Sequence, residues 1–156
     1  MRRMMRGCAA ALVMLGLAVP VEAQSHDEHE VRATVEQIFE GMRTANADLV
    51  REVLAPGVRF SGVGEDGAVS VQSLDGWLDA IGTSEGRWDE QIYDVEVKID
   101  GNMASVWAPF TFYFDGDISH CGINSIELMR DAAGWKITQI ADTRRTEGCP
   151  DPLSGR

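Results

Sequence analysis

From residue 88 to residue 145 the chain alternates apolar and polar side chains, and three short turn sequences interrupt it. This pattern constrains the fold more than any other feature. Residues 88–99 alternate through Ile92, Val95, Val97 and Ile99 before Asp100-Gly101-Asn102. Residues 103–114 place Ala104, Val106, Ala108, Phe110, Phe112 and Phe114 on one side, and Asp115-Gly116-Asp117 follows. Residues 118–130 and 134–145 are joined through Asp131-Ala132-Ala133. A period of two broken by turn residues is the signature of half-buried strands joined as hairpins, so these residues predict a four-strand antiparallel meander. Pro109 lacks a ladder N–H and predicts a bulge or an edge position within its strand.

Ahead of the meander the period changes. Val31, Val35, Ile38, Phe39 and Met42 make one helical stripe, preceded by a polar entry, residues 24–30, in which Ser25 or Asp27 would cap. A second short helix, capped by Asp48, carries Leu49, Val50, Val53 and Leu54 and stops at Pro56-Gly57. Residues 58–63 and 68–72 flank Gly64-Glu65-Asp66-Gly67 as a hairpin. Residues 74–81 read as a third helix, starting at Ser73 or Asp75 and ending at Gly82. The order predicts an α+β domain with helices against one face of an antiparallel sheet.

The first 23 residues read differently. Arg2, Arg3 and Arg6 precede an apolar run of 12 residues, 8–19, and Val21-Glu22-Ala23 suits cleavage before Gln24. This is the pattern of a secretory signal peptide, and the run is too short to span a bilayer. Arg2-Arg3 lacks the context of twin-arginine export, and Cys8 opens the apolar run rather than following it as a lipoprotein cysteine does. The expected organisation is a signal peptide (1–23), a flexible segment (24–30), one domain (31–149) and a tail (150–156), in an exported protein, periplasmic or secreted. The signal removes three arginines and one glutamate. The mature chain then has 11 basic and 24 acidic side chains in place of 14 and 25, a net charge of −13. That charge repels nucleic-acid phosphates and anionic membrane surfaces, so no nucleic-acid or membrane partner is expected after cleavage. Cys8 leaves with the signal. Cys121 and Cys149 remain, and an even count in an oxidising compartment favours a disulfide.

If Ala132-Ala133 is a two-residue loop, His120 lies beside Arg145, Asn124 beside Ala141 and Ile126 beside Gln139. A two-residue Gly116-Asp117 turn adds Trp107, Thr111 and Tyr113 to the same face. The opposite face then takes Phe110, Phe112, Cys121, Ile123, Ile140, Asp142 and Arg144. On this register Trp107, Tyr113, His120, Asn124 and Gln139 are expected to line a pocket mouth, where a few polar groups orient a mostly apolar ligand. His120 and Asp142 are the candidate catalytic residues, as general acid or base, but on opposite faces, which counts against a His–Asp dyad. The bland alternatives are a histidine bonded to a strand neighbour and an aspartate paired with Arg144 or Arg145. Strand alternation counts against a nucleophilic Cys121–His120 pair. His26 and His29 sit in a polar segment and are read as solvated, with no metal site and no cofactor expected.

Three stretches carry a resemblance: 119–124 (Ser-His-Cys-Gly-Ile-Asn), 134–137 (Gly-Trp-Lys-Ile) and 140–145 (Ile-Ala-Asp-Thr-Arg-Arg), with Asn46-Ala47-Asp48 before the short helix. With them, residues 31–149 resemble the nuclear transport factor 2-like superfamily, in particular its small SnoaL-like and lumazine-binding-like bacterial members. The resemblance implies a cone, a curved sheet wrapped around the first helix with a pocket at its wide end, and it implies homodimers through the outer sheet face. That scaffold serves isomerases, dehydratases and binding proteins, so it does not fix function. The expected function is non-catalytic binding of a small apolar or aromatic molecule. The alternatives are a cofactor-independent isomerase, dehydratase or cyclase, and a structural homodimer that binds a partner protein.

Overall fold

The computed structural model describes residues 21–154. The expected leader, residues 1–23, therefore lies outside the described residues except for its last three positions. The elements are α1 (Val21–Arg43), α2 (Ala47–Arg51), β1 (Leu54–Val63), β2 (Val69–Gln72), α3 (Leu74–Thr83), β3 (Trp88–Ile92), β4 (Glu96–Asp100), β5 (Met103–Phe114), β6 (Asp117–Asp131) and β7 (Gly134–Thr143). One curved seven-stranded sheet runs in the order β2-β1-β7-β6-β5-β3, with β4 also on β5. Pairing is antiparallel except between β1 and β7, which run parallel.

The helical stripe packs into the hollow of the sheet. Val31, Val35, Ile38, Phe39 and Met42 are all buried, against Ala104, Val106, Ile126, Leu128 and Ile137 among others. Each such side chain contributes roughly 1.5–3 kcal/mol on leaving water. Residues 24–30 are not the loose entry expected from their polarity, because α1 starts at Val21. Arg130 anchors that turn by donating to Asp27 at 2.6 Å, and Arg32 pairs with Glu28 one turn on. Two other boundaries move. Asn46, not Asp48, caps α2 by accepting the Leu49 N–H, and Leu54 belongs to β1. Ser73 caps α3, accepting from Gly76.

Residues 88–99 form two strands rather than one. β3 pairs with residues 110–114 of β5 and β4 with residues 103–107. The break falls opposite Pro109, whose carbonyl accepts from Tyr93, and Asp94 takes φ +47° at the kink. The proline therefore sits where one neighbour's ladder is interrupted, as a residue without an N–H should.

The tail is docked on the outer side. Cys121 and Cys149 form a disulfide with Cα atoms 5.5 Å apart. Thr111 donates to the Pro150 carbonyl at 2.9 Å and Tyr113 to Asp151 at 2.7 Å. Cys121 pairs with Arg145, one residue beyond the expected Arg144.

Candidate functional site

Two one-residue irregularities decide which side chains enter the hollow. The β5–β6 turn is Asp115-Gly116, both with positive φ (54° and 91°), not Gly116-Asp117. Two adjacent positive φ values match the hairpin's right-handed twist. The register then shifts once more at Ser119, so that His120 pairs with Phe112 and Asn124 with Ala108. The β6–β7 register follows the expected loop as far as Leu128↔Ile137. Thr138 is then an extra residue, with its hydroxyl on the Glu127 carbonyl. Beyond it Ile126 faces Ile140 and Asn124 faces Asp142.

A one-residue shift moves every later side chain to the other face. Trp107 is accordingly half exposed on the outer surface. Tyr113 is buried under the tail, where burial and Asp151 push its hydroxyl up to about 12. Gln139 accepts from Arg59, in a groove on the outer face. The structure therefore does not bring these three to the pocket. It does bring in His120 and Asn124, together with Phe112, Ile140, Asp142 and Arg144 from the set expected on the opposite face.

The pocket lies between the inner sheet face, the C-terminal half of α1 and α3. Its inner chamber, of about 60 Å³, lies between Ile38, Phe39, Phe60, Ile126 and Ile140. A vestibule of about 280 Å³ is walled by Trp88, Phe112, Phe114 and His120. Met42, Gln72, Trp77, Glu90 and Arg144 line both. Phe60 and Trp77 pack at a tilt, with centroids 4.7 Å apart and ring planes inclined at 44°.

The polar groups gather at one end. Asn124, 4 % exposed, donates to Glu90 Oε1 at 2.7 Å. Arg144 forms a two-point pair with Asp142, Nε to Oδ1 at 2.9 Å and Nη2 to Oδ2 at 2.8 Å. Gly62 on β1 leaves room for this pair, because a Cβ there would lie 2.5 Å from Asp142 Oδ1. Burial raises the Glu90 carboxyl to about 7; the Asn124 hydrogen bond opposes the rise, Asp142 adds to it and Arg144 opposes it. By surface area Glu90 is half-buried, and it lines both parts of the pocket. His120 lies against Phe110 and Phe112 at centroid distances of 5.7 and 5.0 Å. Burial, then Arg144, lowers its pKa below the ordinary 6.5 while Asp142 opposes them, so the imidazole is neutral at pH 7.

Glu90 is the pocket-lining residue that the sequence reasoning missed. The signal was present: it shares the parity of Ile92 in an alternating strand, so a carboxylate occupies an inward position. A group that exchanges its proton near pH 7 in an apolar cleft is suited to acid–base work or to pairing with a ligand charge. Among the described residues one trio, His26, Asp27 and Glu30, has metal-ligand atoms within 4.8 Å of one another. It is outside the pocket lining, and its Asp27 is engaged by Arg130.

A SnoaL-like domain profile matches residues 31–141, most of the chain. The chain belongs to the SnoaL-like domain family. Several solved structures similar to this SnoaL-like chain are described as nuclear transport factor 2-like or as having a cystatin-like fold. One is a Mycobacterium tuberculosis protein of unknown function, at 15% identity over 83% of this chain and 78% of that one, with TM-score 0.69. Another is a Novosphingobium aromaticivorans protein provisionally named a scytalone dehydratase, at 9% identity over 81% and 89%, with TM-score 0.67. A third is a Novosphingobium aromaticivorans protein described as nuclear transport factor 2-like with a cystatin-like fold, at 12% identity over 82% and 87%, with TM-score 0.63. At these identities the likeness is one of fold. No curated protein matches the SnoaL-like chain significantly. The disulfide is consistent with an exported protein, and no helix among the described residues is long and apolar enough to cross a membrane.

Proposed function

We propose that this protein is exported and binds a small, mostly apolar molecule in the cleft between α1, α3 and the inner sheet face. One observation carries the reading: an apolar chamber closed at one end by two adjoining polar pairs, Glu90–Asn124 and Asp142–Arg144. Few polar groups at the end of an apolar cleft are what orients a small ligand. The signal pattern and the Cys121–Cys149 disulfide support export. Native mass spectrometry of the exported protein tests the proposal. The expected spectrum shows cleavage before Gln24 and a retained small molecule that the pocket-filling variant Ile140→Trp no longer holds. Absence of any retained ligand, with no thermal shift across a broad apolar library, refutes it.

A second reading, an acid–base enzyme of the dehydratase or isomerase type, is favoured by the Glu90 carboxyl at about 7 in a vestibule that a neutral His120 also lines. In that case Glu90→Gln removes turnover and leaves ligand affinity nearly unchanged. The proposal extends to a homodimer through the outer sheet face, where Met103, Trp107 and Met129 are 50–56 % exposed. Trp107→Ser should then shift the protein to monomer in sedimentation.

A further inference from the structure

We propose that the ligand is a small organic cation, a protonated amine on a flat apolar or aromatic body, with its ammonium against Glu90 and its body among the aromatic walls of the vestibule. The proposal rests on the pocket-binding reading above and narrows it to a ligand class.

The argument begins with charge. Two carboxylates and one guanidinium line the inner chamber, and the guanidinium's charge is matched by Asp142, both of whose oxygens accept from Arg144. Glu90 is left with a single hydrogen-bond donor, the Asn124 amide. A buried carboxylate with one neutral donor is poorly compensated and either keeps its proton or takes a cation. The facing elements supply none. The lining residues from α1 (Ile38, Phe39, Met42), β1 (Phe60, Ser61), β2 (Gln72) and α3 (Trp77) are all uncharged. Arg43, at the end of α1, is placed against Glu36, Glu40 and Asp89 instead. The remaining titratable groups facing Glu90's cavity are Asp142 and Arg144, which cancel, and His120, which is neutral at pH 7.

The walls fit the same chemistry. Trp77, Trp88 and Phe112 line the vestibule together with Glu90, and Trp88 and Phe112 meet edge to face at 5.8 Å. Aromatic faces attract cations and also stack on flat bodies. The vestibule volume is near the lower end of ligand sites, roughly 300–1,000 Å³, which suits a two-ring molecule. The negative net charge of the whole chain draws cations from solution.

The test uses three indoles with similar bodies and different ends: tryptamine (ammonium), tryptophol (hydroxyl) and indole-3-propionate (carboxylate). Each is titrated calorimetrically into the mature protein and into Glu90→Gln. Tryptamine should bind wild type about tenfold or more tighter than tryptophol, and the propionate most weakly. In Glu90→Gln the tryptamine advantage should fall to within about threefold, with tryptophol unchanged. Tryptamine affinity should rise with pH up to about 7 and then level off, because the cation competes with the proton on Glu90. Equal or tighter binding of tryptophol or the propionate overturns the cation proposal and leaves the pocket reading standing. So does a tryptamine advantage that survives Glu90→Gln. If none of the three binds and native mass spectrometry shows no retained ligand, both readings fall.

Discussion

Replacing Glu90 with glutamine should make the protein more stable at alkaline pH, by an amount that follows from the pocket. The folded carboxyl protonates at about 7 against an ordinary 4.5, chiefly because burial disfavours its charge. The folded state therefore binds the proton more tightly than the unfolded chain. Below pH 4.5 both states are protonated and the group is neutral with respect to folding. As pH rises from 4.5 to 7 the unfolded chain ionises first, so stability falls, and above 7 the loss is complete. The full span corresponds to about 3 kcal/mol, of which about 2.5 kcal/mol falls between roughly pH 5 and pH 8.5. The glutamine of the variant has no proton to lose, and its amide oxygen can still accept from Asn124. Urea unfolding of both proteins at about pH 5 and about pH 8.5, disulfide intact, measures the difference. His120 and the surface carboxylates titrate in both proteins and cancel. The expected result is near-equal stability at the acid end and a variant ahead by about 2–3 kcal/mol at the alkaline end. A gap that does not change with pH would show that the Glu90 carboxyl ionises as it does in water, and the account of the pocket's polar end would fail with it.

Three further outcomes are expected. Replacing both Cys121 and Cys149 with Ala opens a covalent loop of sequence separation 28, which should lower stability by about 3–4 kcal/mol in chemical denaturation. A loss under about 1 kcal/mol would mean that the unfolded chain is already constrained there. Gly122→Ala places a Cβ on the Thr143 carbonyl oxygen, a backbone atom that cannot step aside. It should cost about 3 kcal/mol or more, or prevent folding, as read by circular dichroism and thermal melting. Tyr113→Phe removes the 2.7 Å hydrogen bond to Asp151 and should cost about 1 kcal/mol. Its clearer signature is faster amide exchange in residues 150–154, and unchanged exchange there would refute the docking role.

The helical and strand periods were legible because burial imposes them. All five residues of the Val31–Met42 stripe are core, and the turn sequences divide the meander where the chain turns. The Cys121–Cys149 disulfide followed from their number and the expected leader. Register was not legible. Thr138 and Ser119 have no composition that marks them as extra residues, yet each reverses the faces beyond it. Trp107, Tyr113 and Gln139 were misplaced on that account, and Asp142 was set apart from Asn124, which it faces directly. Glu90 was legible in principle, because it is the charged residue at an inward position of an alternation whose other inward members, Trp88 and Ile92, are apolar.

The Thr138 bulge also explains why one strand can serve both ends of the cone. Before it, β7 turns Trp135 and Ile137 inward, both buried, and the narrow end is sealed with apolar volume. After it, Ile140, Asp142 and Arg144 turn inward in place of Gln139, Ala141 and Thr143. An unbroken ladder would have left the wide end with an amide, a methyl and a hydroxyl, and with no charge to set against Glu90. The bulge instead delivers an ion pair that satisfies itself, which keeps Arg144 from neutralising Glu90. Gly62 supports the arrangement from β1, since any side chain there would displace Asp142. The Asp142–Arg144 pair at the polar end of the pocket is thus a consequence of one inserted residue, and the carboxyl it leaves unmatched is that of Glu90, which is why that residue and not His120 is the one to perturb first.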